Sequence, residues 1–337
     1  MTTTIGHPAL RGRTAPRAIE RRRRFAVPGI PTGSFWLLAA IVVVLNMFGL
    51  VMVMSASSVP AVRSGAVPWS LFERQALWTV LGSIALLATL MVSVDLWRRF
   101  SRPLMAIAVA MLVLVLVPGI GVSVNGATRW LGAGPIQIQP SEFAKFALLI
   151  FVADLLDRRS EKIADWRWCL APVVAYLGLV AALIMLQPNL GTTIIIAFMV
   201  LTMLLVAGVP LLGLSLTALA GTAVATMFVA FTPFRRTRFL RFLNPWADPS
   251  NSGLQNVQSL VGIANGGILG RGLGRSTAKW GFLPFAHTDF IFAVISEEFG
   301  LVGALFVVAL FFGFTCTGAW IAARAKDRYS MLVVDGV

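Results

Sequence analysis

Several residue types on which soluble chemistry often rests are scarce. The chain has 337 residues but only 2 cysteines, 2 histidines and 2 tyrosines. Cys169 and Cys316 each lie in or beside an apolar run, where a thiol acts as a small core hydrophobe. That placement argues against a disulfide framework or a thiolate metal site. His7 and His287 are too far apart in sequence to suggest a histidine metal cluster, and a single His in the second half gives little support to a Ser-His-Asp acyl-transfer triad. Charge is scarce as well. Charged residues make up 12 % of the chain, against about 25 % in a soluble domain.

Hydrophobicity fills the gap, at 58 % of residues. Long apolar runs occur at 35–54, 76–94, 104–122, 142–156, 168–186, 190–208, 210–231 and 289–322. Most reach the roughly 20 residues that a bilayer-spanning helix needs. The expected fold is therefore all-α, a polytopic membrane bundle of eight spans. The fourth run is short and polar at its start, and the last is long enough to tilt or protrude. Residues 1–34 are polar, rich in Arg, Pro and Gly, and carry Arg21–Arg24. They read as a disordered cytoplasmic tail, with the basic run as an anchor beside the membrane and not a nucleic-acid site. The first apolar segment and its basic lead are longer than those of a cleaved signal peptide, so it is expected to stay as the first span.

The basic residues orient the bundle. With the N-terminus in the cytoplasm, the inner segments hold the tail arginines, then Arg98, Arg99 and Arg102, then Arg158, Arg159, Lys162 and Arg167, then Arg324, Lys326 and Arg328. This is most of the 28 lysines and arginines, as the positive-inside rule requires. One outer loop, 232–288, is basic nonetheless, with Arg235, Arg236, Arg238, Arg241, Arg271, Arg275 and Lys279. Lipid headgroups would explain those charges; so would a phosphate-bearing substrate. The same loop carries Gly270-Arg271-Gly272-Leu273-Gly274. It lacks the Gly-Lys-Ser/Thr of a phosphate-binding P-loop, so its glycines read as sites of tight turning or close backbone approach.

Three polar clusters fall on the outer side. Asn125–Leu131, with Arg129 and Trp130, leads to Gln139–Glu142 and Lys145. Glu142 and Lys145 are spaced to pair on a helix, either as an ion pair that eases insertion or as the wall of a polar cavity. Gln187–Thr192 reads as a tight turn between spans. The third cluster, in the large loop, includes Asn244–Pro249, Gln255 and Gln258. Beyond it comes the stretch Trp280–Phe299, where His287-Thr288-Asp289 ends a polar loop and an apolar run begins. Asp289 suits a helix N-cap. It also suits a base: a carboxylate that takes a proton from a hydroxyl, near cations that hold a pyrophosphate leaving group, fits glycosyl transfer. Glu297 and Glu298 follow about 12 Å deeper if the segment is helical and are expected to pair within the bundle.

These segments, in this order, resemble the SEDS family (shape, elongation, division and sporulation), whose members include FtsW and RodA. The resemblance rests on Asn125–Leu131 with Gln139–Lys145, Gln187–Thr192, Asn244–Pro249 with Gln255 and Gln258, Gly266–Gly274, and Leu283–Glu298. The arginine-rich tail and Ser55-Ala56-Ser57-Ser58 are most like the cell-division branch. The resemblance implies a peptidoglycan glycosyltransferase that polymerises lipid II and releases undecaprenyl pyrophosphate. It implies Asp289 as the catalytic group, acting on the acceptor 4-hydroxyl directly or as ligand of a divalent cation, magnesium or manganese. Arg129, Trp130, Glu142, Lys145, Arg238, Arg241, Gln255, Gln258, Lys279, His287 and Thr288 are then substrate-binding candidates. The implied partners are a class B penicillin-binding transpeptidase and other division membrane proteins, at the plasma membrane of the septum. The chain departs from the family at Phe285 (commonly acidic), at Asn189 (commonly Asp) and in having eight of ten spans. A lipid II flippase and a non-catalytic division scaffold are the alternatives; each handles or neighbours the same lipid without polymerising it.

Overall fold

The computed structural model describes residues 32–337 except 64, 66, 125–126, 134–135, 233–235, 238–243 and 250–252. The tail reading, and the readings of Arg238 and Arg241, concern residues outside that set. Ten helices are described: α1 Gly33–Arg63, α2 Ser70–Leu90, α3 Val94–Leu114, α4 Pro140–Arg158, α5 Ala171–Leu186, α6 Leu190–Val206, α7 Leu211–Ala230, α8 Leu254–Gly266, α9 Ile291–Ala323 and α10 Arg328–Asp335. Each expected span overlaps one of these helices, the third, 104–122, only as far as Leu114. Among the described residues, five segments are long and apolar enough to cross a membrane: α1, α2, Trp166–Leu186, α7 and α9. Helix α6 is apolar but has 17 residues, and α3 and α4 carry the charges discussed below.

The helices alternate in direction and give the bundle two ends. Among the described residues, one end carries those of 65–69, 115–139, 187–189 and 231–290; the other carries 91–93, 159–170, 207–210 and 324–337. Helix α4 forms the centre of the larger core, buried along Ala147–Ala153 and Leu156 against α3, α5, α6 and α10. Asp154, 2 % exposed, interrupts that apolar surface. Its carboxylate accepts from Arg98 Nε at 2.9 Å, Arg158 Nε at 2.8 Å and Ser101 Oγ at 3.2 Å. A buried charge is tolerable only with this kind of pairing. A smaller core joins Met52 and Ala56 of α1 to Ala293, Val294, Ile295 and Val307 of α9, with Leu283 and Ala286 from the preceding loop. Helices α2 and α7 bury no residue, so their apolar surfaces are left for lipid.

Two features depart from the sequence reading. The segment after α3 forms a small antiparallel sheet, β1 Val122–Val124, β2 Ala127–Ala133 and β3 Ile136–Ile138, in the order β1-β2-β3. Val122 pairs with Trp130 and Leu131 with Ile138.

The second departure corrects the single long last span. Helix α9 is broken at Gly300, with φ 66° and ψ −163°, a conformation essentially confined to glycine. A Cβ there would lie 2.4 Å from Gly270 N and Ile268 O. The loop after α8 fills the break. Arg271 N and Gly272 N donate to the carbonyls of Glu297 and Glu298, and Leu301 N and Val302 N donate to those of Gly267 and Ile268. Backbone groups freed by an interrupted membrane helix must find such partners. At Gly266 the ideal Cβ would stand 1.9 Å from Ser296 O, so only glycine lets α8 approach α9 this closely.

Candidate active site

The loop between α8 and α9 is held from below. Its 3-10 turn Ala278–Trp280 sits over two buried carboxylates of α9. Glu297, 0 % exposed, accepts from Thr277 N at 3.0 Å, Thr277 Oγ1 and Ser276 Oγ at 2.6 Å, and Ala278 N at 3.2 Å. Arg271 adds a longer ion pair at 3.4 Å. Glu298, 1 % exposed, accepts from Ser55 Oγ of α1 at 2.8 Å, Lys279 Nζ at 3.1 Å and Ser276 N at 3.4 Å. Both glutamates thus pair within the bundle, as expected of them. Arg63 at the end of α1 lies over the Trp280 ring, 5.9 Å from its centroid, and ties the same loop to α1 a second time.

Beyond the turn, the loop divides its side chains between core and surface. Leu283 and Ala286 are buried in the smaller core, while Phe282, Phe285, Thr288 and Asp289 are exposed and His287 is half-buried. Phe285 adopts φ 59°, and its carbonyl accepts from Thr288 N, Thr288 Oγ1 and Phe290 N. A bulky residue in the left-handed region is strained, and such strain clusters at functional sites. This turn sets Asp289 just ahead of α9. The N-cap position belongs to Phe290, so the cap reading of Asp289 is not what the fold adopts. Among the described residues the Asp289 carboxylate has no hydrogen-bond or ion-pair partner.

The other candidates divide into three groups. Arg129 reaches from β2 to the turn after α5, donating from Nε to Gln187 O at 2.9 Å and from Nη2 to Pro188 O at 2.6 Å. Gln187, 1 % exposed, donates in turn to Leu112 O of α3 at 3.3 Å. Asn189 is the N-cap of α6, accepting from Thr192 N at 3.3 Å; an amide oxygen does there what the family's usual aspartate would do. Trp130, half-buried, lies in the sheet beside Arg129. Glu142 and Lys145 form a 2.8 Å ion pair on the first turns of α4, with side chains 55 % and 27 % exposed. Gln255 and Gln258 are half-buried, three residues apart on α8.

Lys279 is the exception. It is 3 % exposed and its ammonium serves Glu298 and Ser55, so in this fold it is a buried counter-ion and not a surface cation. The sequence offered no sign of this, because its partners stand 19 and 224 residues away. Ser55, Ser276 and Thr277 were likewise missed as parts of the support under the loop. The serine cluster after the first apolar run was the available signal for Ser55.

No group of three or more His, Cys, Asp or Glu side chains converges among the described residues. A carboxylate such as Asp289 could still share a hard cation with substrate phosphate oxygens and water, the arrangement magnesium favours.

Comparison with known proteins follows the same lines. A family model described as a cell cycle protein, for FtsW, RodA and SpoVE, matches residues 35–337. The probable peptidoglycan glycosyltransferase FtsW of Mycobacterium tuberculosis is 42 % identical over 320 residues, covering 94 % of this chain and 61 % of that protein. The chain therefore spans about three fifths of that relative's length. A chain of a solved peptidoglycan synthase complex, described as coordinating polymerization and crosslinking, superposes with a TM-score of 0.71 at 29 % identity, over 89 % of this chain and 82 % of that one. The crystal structure of the rod shape determining protein RodA from Thermus thermophilus gives 0.61 at 25 % identity, over 90 % and 79 %.

Proposed function

This chain belongs to the FtsW, RodA and SpoVE family of cell cycle proteins, and on that premise we propose that it is a peptidoglycan glycosyltransferase polymerising lipid II during septal wall synthesis. It is a multi-pass membrane protein. Arg98, Arg99 and Arg102 in the first turns of α3, with the basic segments 159–170 and 324–337, support a cytoplasmic orientation for that end and for the N-terminus. The Asp289 end then faces the periplasmic or outer side, where lipid-linked sugars are joined.

The observation that carries the reading is the exposed carboxylate of Asp289, without a partner among the described residues, on a loop fixed from beneath by Glu297 and Glu298. In the proposed reaction the acceptor 4-hydroxyl oxygen bonds to the donor's anomeric carbon as the bond from that carbon to pyrophosphate oxygen breaks. The hydroxyl proton passes to Asp289, and undecaprenyl pyrophosphate leaves. Arg275 is exposed in the same loop and, with Arg238 and Arg241, supplies positive charge for the leaving group. Arg129, Trp130, Glu142, Lys145, Gln255, Gln258, His287 and Thr288 are proposed to line the lipid II path. A divalent cation, if used, would be held by Asp289 with the pyrophosphate and would stabilise its growing charge.

The partner proposed for crosslinking the new strand is a class B penicillin-binding transpeptidase, with other division membrane proteins around it. The relative described as a peptidoglycan synthase complex supports this pairing. The test is polymerisation of lipid II on a gel by the purified protein with its transpeptidase. Wild type yields polymer, and Asp289→Asn yields none while keeping its melting temperature. Polymer from Asp289→Asn would overturn the catalytic assignment. Lipid II translocation across liposomes without polymer would move the protein to the flippase reading, and neither activity would leave the scaffold.

A further inference from the structure

At the end of the bundle opposite Asp289, the chain leaves α9 and turns through 324–327 into α10. Between this turn and the end of α6 lies a cavity of about 340 Å³, lined by Val206, Ala207, Lys326, Asp327, Arg328 and Met331. Its lining carries two cations and one carboxylate. Asp327 is occupied locally: one carboxylate oxygen accepts from Ser330 N at 2.8 Å and the other from Ser330 Oγ at 2.9 Å. Neither Lys326 nor Arg328 has an ion pair with a described residue. Arg328 donates one Nη2 bond to Ala207 O, while its Nε is buried with no partner. A buried donor left unpaired is unfavourable, and a guanidinium N–H most favours an anionic oxygen.

The height of the cavity identifies the anion. Trp320, near the end of α9, is 49 % exposed and has the Arg324 guanidinium 3.6 Å from its ring centroid. Trp168, at the start of the next segment round this end, is 55 % exposed with Lys162 at 4.9 Å. Exposed tryptophans at a helix end mark the headgroup level of a bilayer. The cavity lies at this same end of the helices, and Val206, Ala207 and Met331 give it an apolar wall beside the two cations. Basic pockets between membrane helices take lipid phosphates.

We propose that this cavity seats the phosphodiester of an anionic phospholipid, held by the Lys326 ammonium and the Arg328 guanidinium. The site is independent of lipid II polymerisation and lies at the other end of the helices.

The test is binding of phosphatidylglycerol, against phosphatidylcholine, to the purified full chain in detergent, followed by native mass spectrometry. Phosphatidylglycerol is retained in preference. Lys326→Gln, whose side chain is exposed, and Arg328→Gln each lower its affinity about fivefold, the effect of roughly 1 kcal/mol per cation at an anionic surface. Equal retention of the two lipids, or undiminished phosphatidylglycerol binding in Lys326→Gln, overturns the proposal. Arg328 also bonds α6, so Lys326→Gln decides the matter if Arg328→Gln fails to fold. Displacement of phosphatidylglycerol by millimolar inorganic phosphate, with no effect of equal chloride, would assign the seat to soluble phosphate and overturn the lipid.

Discussion

The ammonium of Lys279 lies 3.1 Å from the Glu298 carboxylate, and the side chains are 3 % and 0 % exposed. Removing one partner of such a pair leaves an uncompensated buried charge, at a cost of about 3–5 kcal/mol. Glu298→Ala is therefore expected to lower the melting temperature sharply in detergent. The double variant Lys279→Met/Glu298→Leu, apolar at both places, is expected to recover most of that loss. Thermal unfolding of the two variants side by side checks this, and equal destabilisation in both would refute it.

Gly300→Ala is expected to destabilise by about 2–5 kcal/mol, combining a backbone conformation closed to alanine with a Cβ forced onto the 266–272 loop. Gly318→Ala, in the same helix but with open space around it, is the control. It should be neutral or up to about 1 kcal/mol stabilising, as for glycine replaced within a helix. Melting curves that fail to separate these two would remove the argument for the break.

Lys145→Ala separates stability from function. The Glu142–Lys145 pair is partly exposed and three residues apart, so its loss should change stability by less than about 0.5 kcal/mol. A large fall in polymer on the gel with an unchanged melting temperature would assign the pair to the substrate path. Unchanged polymer would return it to a role in helix insertion.

Asp335 ends α10 where that helix packs on α4 and α6. One of its oxygens is buried with no partner among the described residues, and a buried polar group left unpaired is costly. Asp335→Leu is expected to melt higher than wild type. A melting temperature equal to or below that of wild type would count against it.

The helices were legible because an apolar run long enough to cross a bilayer has few other folds open to it. The Glu142–Lys145 pair and the inward pairing of Glu297 and Glu298 followed from spacing and depth. The sheet at 122–138 could have been read from Asn125-Gly126, a strong hairpin dipeptide between short β-prone runs, but the dominance of helix obscured it. The break at Gly300 was not legible. One glycine in a long apolar run signals little, and its conformation is imposed by a loop 30 residues earlier. Asp289 as a cap failed for a local reason: the turn begun by the Phe285 carbonyl ends one residue later than the polar-to-apolar boundary. Lys279 was misread because nothing near it in sequence discloses a partner on α9 or α1.

The hydrogen bonds that complete the two helix halves at Gly300 run between peptide groups of the loop and of α9, and Arg271 adds one side-chain ion pair to Glu297. Ile268, 69 % exposed, contributes its carbonyl to it, and the neighbouring Leu269 is 82 % exposed. The joint constrains composition at its glycines and leaves its outward side chains free to change. Substitutions at these outward positions are therefore expected to leave the support beneath Asp289 in place.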